Sequence, residues 1–300
     1  MNSNVLRIGT RRSLLAKSQT TWVADRLLKF HPQLQIQIIE VVTTGDKILD
    51  TSLSQMPGKG VFVKEIEEML LAGEIDLAVH SLKDLPTEFP AGLKIAAIPE
   101  RVDPRDVFIS RHKKNLLEMP AGAKIGTSSL RRSAQLSQFR SDFHLVDIRG
   151  NIDTRLRKAE SEEYDGIILA AAGLTRLGLL ERVQEFLSCE VMIPAAGQGA
   201  LGIEIREDDQ TSERLLSVVH DPVTATAVQA ERTFLEGMGG GCQTPIGAFC
   251  RIRESRVVFH ACALQETQGF LRVKLEGDLV DAMHLADELI LRFKAESTDV

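Results

Sequence analysis

Two stretches of this chain open alike. Arg7-Ile8-Gly9-Thr10 and Lys124-Ile125-Gly126-Thr127 each end a short apolar run and lead into a serine-bearing helix start. Behind each opening, period-2 and period-3.6 apolar patterns alternate, which restricts the chain to an α/β architecture with mainly parallel sheets. In the first copy, 5–10 reads as a strand. Ser13 to Phe30 reads as a helix with Leu15, Trp22, Val23, Leu27 and Phe30 near one face. A strand at 35–43, a helix at 60–72 and a strand at 75–80 follow. In the second copy, strands at 123–127, 144–148 and 165–171 enclose helices at 129–139 and 152–160. Two copies imply two domains of related design, not a solenoid array.

The linkers follow from proline placement. Pro99 and Pro104 bound a segment at 99–104, and His220-Asp221-Pro222 reads as a second linker. Between them a strand is expected at 199–206 and a polar helix at 211–219. Beyond Pro222 the pattern gives a helix at 224–236, strands at 245–252, 256–264 and 270–276, and a helix at 280–294. That order suggests a small α+β domain.

Charge and cysteine usage narrow the function. A net charge of −6 with one Trp and one Tyr disfavours a nucleic-acid surface or an anionic membrane face. The arginines are unevenly spread, however: Arg131, Arg132, Arg149, Arg155, Arg157 and Arg176 share one middle segment. Such a cluster leaves room for a small anion pocket. None of the four cysteines forms a CxxC pair or a zinc-like spacing, so no metal site is expected. No signal-peptide pattern opens the sequence, and no run of about 18 apolar residues spans a membrane. The expectation is a cytoplasmic enzyme.

Gly197-Gln198-Gly199-Ala200-Leu201-Gly202 fits a dinucleotide fingerprint literally, but it precedes a strand and not a helix. It reads as a sharp turn. Arg11 and Ser13, like Thr127, Ser128 and Ser129, lie where a strand passes into a helix. Each serine alone is best explained as an N-cap. With arginines beside them, the same positions suit carboxylates. Arg131 and Arg132 fall in the first turn of their helix, where positive charge opposes the dipole. A bound anion would explain them, and a solvated face is the alternative. Arg149 precedes a turn, Arg155 sits in the next helix, and Arg176 reads as part of a glycine-rich loop. Lys83-Asp84 follow an apolar strand, where Asp84 is either a turn cap or a carboxylate that stabilises developing cationic charge. Gly239-Gly240-Gly241 removes bulk ahead of Cys242, which suits a thiolate nucleophile better than a core cysteine.

These residues resemble one family over nearly the full length of the chain. RIGTRRSLLA (7–16), GKGVFVKEIE (58–67), DLAVHSLKDLP (76–86), GTSSLRRSAQL (126–136), RGNIDTRL (149–156), PAAGQGALGIE (194–204) and GGGCQTPIGA (239–248) are similar to stretches of the porphobilinogen deaminases. The resemblance implies two domains like those of periplasmic binding proteins, at 1–99 with 200–217 and at 105–193, plus an α+β domain at 222–300. It implies a transferase that condenses four porphobilinogen molecules head to tail into hydroxymethylbilane and releases ammonia at each step. It implies a dipyrromethane cofactor on Cys242 through a thioether, with Asp84 as the catalytic carboxylate. Lys83, Ser129, Arg131, Arg132 and Asp84 match cofactor-binding positions. Arg11, Ser13, Thr127, Arg149, Arg155 and Arg176 match positions that bind substrate acetate and propionate groups, and Lys59 matches an active-site loop. Nothing in the sequence demands more than a monomer. Arg12 and Lys17 depart from commonly uncharged positions. A binding protein for a carboxylate solute is the main competing class, since two domains and anion sites suit it too; a DNA-binding regulator has less in its favour.

Overall fold

The computed structural model describes residues 5–47, 63–240, 244–265 and 269–295. Its elements run in chain order as follows. First come β1 (Val5–Arg11), α1 (Leu14–Phe30), β2 (Gln35–Val41), α2 (Thr44–Lys47), α3 (Lys64–Leu71), β3 (Leu77–Ser81), β4 (Leu93–Ala97) and β5 (Asp106–Ser110). Next are β6 (Lys124–Gly126), α4 (Leu130–Phe139), β7 (His144–Val146), α5 (Ile152–Ala159), β8 (Gly166–Ala170), α6 (Ala171–Leu177) and β9 (Glu185–Phe186). Then come β10 (Leu201–Arg206), α7 (Gln210–Leu216), α8 (Pro222–Gly237), β11 (Ile246–Arg253), β12 (Arg256–Gln265), β13 (Gly269–Asp278) and α9 (Ala282–Ala295).

The chain divides into two compact units, residues 1–101 with 200–225 and residues 102–199 with 226–300. The first unit holds a five-stranded sheet in the order β2-β1-β3-β10-β4. β1 pairs in parallel with β2 and β3, and β10 lies antiparallel between β3 and β4. Four of its strands therefore run one way and β10 the other. The second unit repeats the design in the order β7-β6-β8-β5-β9, with β5 as the reversed strand. It also holds the antiparallel sheet β11-β12-β13, covered by α8 and α9.

The repeated Ile-Gly-Thr has a packing cause. A Cβ at Gly9 would lie 2.4 Å from Ile75 Cδ1, and one at Gly126 would lie 2.8 Å from the Tyr164 ring. At both positions a side chain from just before the neighbouring parallel strand, β3 or β8, crosses the glycine, so only glycine fits. On the opposite face of the first sheet, α1 buries Val23, Ala24 and Leu27 against Ile8, Val79 and Ile203. Each such fully buried aliphatic side chain contributes roughly 1.5–3 kcal/mol.

Most sequence-derived boundaries lie within two residues of the observed ones. The differences have local causes. β4, β5 and β9 have no expected counterpart; they are short and pair through reversed neighbours. Arg176 does not sit in a glycine-rich loop. Gly173 is inside α6, and the helix stops at Gly178, whose φ of 69° makes it a left-handed cap.

Candidate functional site

In each five-stranded sheet the parallel strands deliver their following segments to one edge, the C-terminal edge where open α/β sheets place ligands. In the first unit this edge carries Arg11, at the end of β1, and Ser13, which caps α1 by accepting from the Ala16 N–H at 3.2 Å. It also carries Lys83 and Asp84, in a single 3-10 turn that continues β3. The turn is anchored: Leu82 N–H donates to the Ala200 carbonyl (3.1 Å), while Leu82 and Leu85 are buried. Asp84 itself is exposed and Lys83 half-buried. Gln19 Nε2 donates to Ser81 Oγ at 2.8 Å, tying α1 to the end of β3. Arg12 and Lys17 are both directed to Glu40 of β2, at 4.0 and 2.5 Å, so their charges are spent locally.

In the second unit the same edge gathers Thr127, Ser129, Arg131 and Arg132 after β6, Arg149 and Arg155 after β7, and Arg176 after β8. Ser129 is the N-cap of α4: its Oγ accepts from the Arg132 N–H, and its own N–H donates to Thr127 Oγ1 at 3.2 Å. Ser128 turns away, donating to the Ile148 carbonyl (2.8 Å) and accepting from the Ile148 N–H (3.1 Å). Gly150 has a φ of 108°, and a Cβ there would lie 2.6 Å from Thr154 Cγ2. That turn lets Asn151 cap α5 (3.0 Å to the Thr154 N–H) and lets Arg155 Nε donate to the Gly150 carbonyl (2.8 Å).

The first-turn arginines are neither solvated nor left to an external anion alone. Both are buried, and the compensating anion is the protein's own Asp106, itself 0% exposed. Arg131 Nη1 donates to Asp106 Oδ2 (2.7 Å) and to the Ile193 carbonyl (2.6 Å). Arg132 reaches Asp106 Oδ1 through Nε (3.0 Å) and Nη2 (2.7 Å), and donates through Nη1 to the Ile168 carbonyl (3.0 Å). Gln198 Nε2 adds a bond to Asp106 Oδ1 (3.1 Å) and another to the Pro104 carbonyl (2.7 Å). Burial pulls the Arg132 guanidinium down from its ordinary pKa, with Arg131 adding to the effect and Asp106 opposing it. One carboxylate facing two guanidinium groups leaves the group a single positive charge in excess.

The antiparallel β5 makes this possible. Asp106 pairs with Ala170 at the C-terminal end of β8, so a residue at the start of β5 arrives at the edge where the helices begin. The turn at 197–199 completes it, with φ of 73° at Gly197 and 89° at Gly199 ahead of β10. The G-x-G pair thus forms a turn, as its sequence context required. Arg176, though near the far end of α6, donates to the Gly199 carbonyl at 2.9 Å. Burial lowers its pKa to about 10, so it stays charged at neutral pH.

Asp106, Gln198 and Gln135 are residues that sequence reasoning missed. Gln135 holds Ile193 from both sides, accepting from its N–H (2.7 Å) and donating to its carbonyl (3.0 Å). The available signal was Asp106 at the head of the apolar run Val107-Phe108-Ile109, a buried strand with a charge at its mouth. Cys242 and Lys59 lie outside the described residues. Among the described residues no group of His, Cys, Asp and Glu could hold a metal ion.

Replacing Asp106 by alanine is expected to cost about 3–5 kcal/mol in urea unfolding, because two buried guanidinium groups lose their counter-ion. Asp106→Asn should cost less, since the amide oxygen still accepts. A loss below about 1 kcal/mol for the alanine variant would show the pair to be incidental.

Comparison with known proteins gives the family of the chain. A family model described as porphobilinogen deaminase, dipyromethane cofactor binding domain, matches residues 6–214, and one described as porphobilinogen deaminase, C-terminal domain, matches residues 225–295. The porphobilinogen deaminase of Syntrophotalea carbinolica is 52% identical over 271 residues, covering 90% of this chain and 86% of that one. That of Pelobacter propionicus is 50% identical over 286 residues, 95% of this chain and 92% of that one. Among solved structures, the methionine binding protein MetQ matches with a TM-score of 0.45 and 12% identity, over 76% of this chain and 95% of that chain.

Proposed function

This chain belongs to the porphobilinogen deaminase family, and from that premise we propose how its own residues carry the condensation of porphobilinogen into hydroxymethylbilane. The observation that supports the reading best is the excess positive charge of the Asp106–Arg131–Arg132 group at an edge lined by helix starts. A pyrrole bearing acetate and propionate needs such a surface, and each added ring brings two more carboxylates. Arg131, Arg132, Ser129 and Lys83 are read as holding the dipyrromethane cofactor. Arg11, Ser13, Thr127, Arg149, Arg155 and Arg176 are read as receiving substrate carboxylates.

The donor set fits such a cofactor, because it offers guanidinium and hydroxyl groups to carboxylates at an edge with excess positive charge. When bound, the dipyrromethane supplies a free pyrrole α-carbon as the primer for chain growth. Cys242 is read as its covalent anchor. Asp84 is assigned to the reacting ring. Departure of ammonia from the aminomethyl group of porphobilinogen leaves an electron-poor methylene-pyrrolenine whose nitrogen shares the positive charge. The Asp84 carboxylate accepts a hydrogen bond from that N–H and stabilises the cation as it forms. Lys59 is read as part of the loop over the site.

The same reading divides the chain into domains at 1–99 with 200–217, 105–193 and 222–300, acting as a monomer in the cytoplasm without nucleic acid. The net charge of −6 supports the absence of nucleic acid, and the three cysteines among the described residues, all free thiols, support the cytoplasm. Among the described residues no helix is long and apolar enough to cross a membrane.

Intact-mass measurement of the purified protein tests the reading. The expected result is a chain heavier than its sequence by a two-pyrrole adduct, releasing ammonia when porphobilinogen is added. An unmodified chain with full activity would contradict it.

A further inference from the structure

Behind the turn that carries Lys83 and Asp84 lies a buried polar cluster that none of the roles above uses. His80 of β3 places Nε2 3.0 Å from Glu204 Oε2 of β10, with side chains 5% and 0% exposed. The register explains the meeting. His80 pairs with Gly202 and Ala78 with Glu204, so the two side chains are diagonal neighbours on one face of the sheet. α3 covers that face, with Ile66 and Leu70 packed on Ala78, and its Glu67 is buried as well. One oxygen of Glu67 and one of Glu204, Oε1 in each, is buried with no hydrogen-bond partner among the described residues.

Charge counting selects the state. Two ionised carboxylates beside a neutral imidazole would leave two like charges out of water. A proton on Glu67, which burial and the neighbouring Glu204 favour, removes one of them. Burial first, then the charge of Glu204, pushes the Glu67 carboxyl up to about 7; Glu68 adds to this and His80 opposes it. Another charged group facing the cluster is engaged elsewhere. Arg206, the next α3-facing position of β10, donates to the Leu70 and Ile75 carbonyls and pairs with Asp209.

We propose that Glu67, His80 and Glu204 are positioning residues for the condensation: a buried, proton-holding set that fixes the end of β3 and, through it, the Lys83–Asp84 turn. The proposal rests on the role given to Asp84 above. The coupling is short, since His80 is one residue before Ser81 and the turn begins at Leu82. β10, which carries Glu204, is preceded by Ala200, whose carbonyl holds the first N–H of that turn. None of the three touches substrate in this scheme. They set where the carboxylate of Asp84 sits.

Two variants of the full chain test it. Glu204→Gln keeps the shape and a hydrogen bond but removes the charge of the pair. Its kcat is expected to fall about tenfold or more, with KM changed by less than about twofold and the cofactor adduct still present by mass. An unchanged kcat together with a lowered unfolding midpoint would reduce the cluster to a structural role and overturn the proposal. Glu67→Gln is permanently neutral, and it is read through its unfolding midpoint. In the parent, Glu67 ionises at about 7 when folded against 4.5 when unfolded, so its folded state holds the extra proton and stability falls as pH rises across that window. The fall in unfolding midpoint between about pH 5 and pH 7.5 should be smaller in Glu67→Gln. An identical fall in both proteins would also overturn the proposal. The pH arm does not involve Asp84, so failure of the Asp84 assignment, read from Asp84→Asn turnover, is distinguishable from failure of the cluster.

Discussion

Cys242→Ser is expected to lose the two-pyrrole adduct and, with it, turnover by on the order of a thousandfold or more. The reason is chemical. A thiolate attacks a carbon electrophile and holds it as a stable thioether, whereas an unactivated serine hydroxyl is a weak nucleophile at neutral pH. Without the anchored primer, the arginines have nothing to hold in place for the first substrate ring. The other cysteines serve as controls. Burial pushes Cys189 and Cys262 up to about 11, so both remain thiols at neutral pH, and Cys250 is buried in the core of the small antiparallel sheet. Serine at Cys189 should therefore leave both adduct and turnover in place. An adduct that persisted in Cys242→Ser would move the anchor elsewhere.

Asp84→Asn should fold like the parent and turn over about 10²- to 10⁴-fold more slowly. Its side chain is exposed and the turn beneath it is held by Leu82 and Leu85, so the substitution removes a charge without disturbing a core. An amide still accepts a hydrogen bond from a pyrrole N–H. It no longer offers a full negative charge to the cation that forms as ammonia departs, and that difference is where the rate loss arises. The loss should fall on kcat with cofactor loading intact. Turnover near that of the parent would take Asp84 out of this role.

Much of the architecture is legible in the chain because local patterns agree with it. The period of Leu15, Val23 and Leu27 sets α1, and Ser13 and Ser129 are readable as caps because an N-cap is a short-range matter. Long-range pairing is not readable. Nothing near Asp106 in sequence indicates that β5 lies antiparallel beside β8, and only that pairing brings its carboxylate to Arg131 and Arg132. In sequence the two arginines therefore read as calling for an outside anion, when part of their compensation comes from a residue well upstream. α6 is hidden for a different reason. Gly173 and Gly178 make the segment read as a loop, although the first is packed inside the helix and only the second ends it. The cluster of Glu67, His80 and Glu204 is invisible for the same reason as Asp106: it needs three elements laid side by side.

The placement of β10 carries a consequence for how the molecule is made. This strand is wedged between β3 and β4, yet the chain lays it down only after every strand of the second five-stranded sheet, β5 to β9, has been synthesised. A ribosome that has released the first hundred or so residues has therefore released a sheet with a gap in its middle, while the second five-stranded sheet needs no strand from outside its own stretch. The seam between β3 and β4 can therefore close only after β10 has emerged. Its completion is an event of high sequence separation, the slow kind.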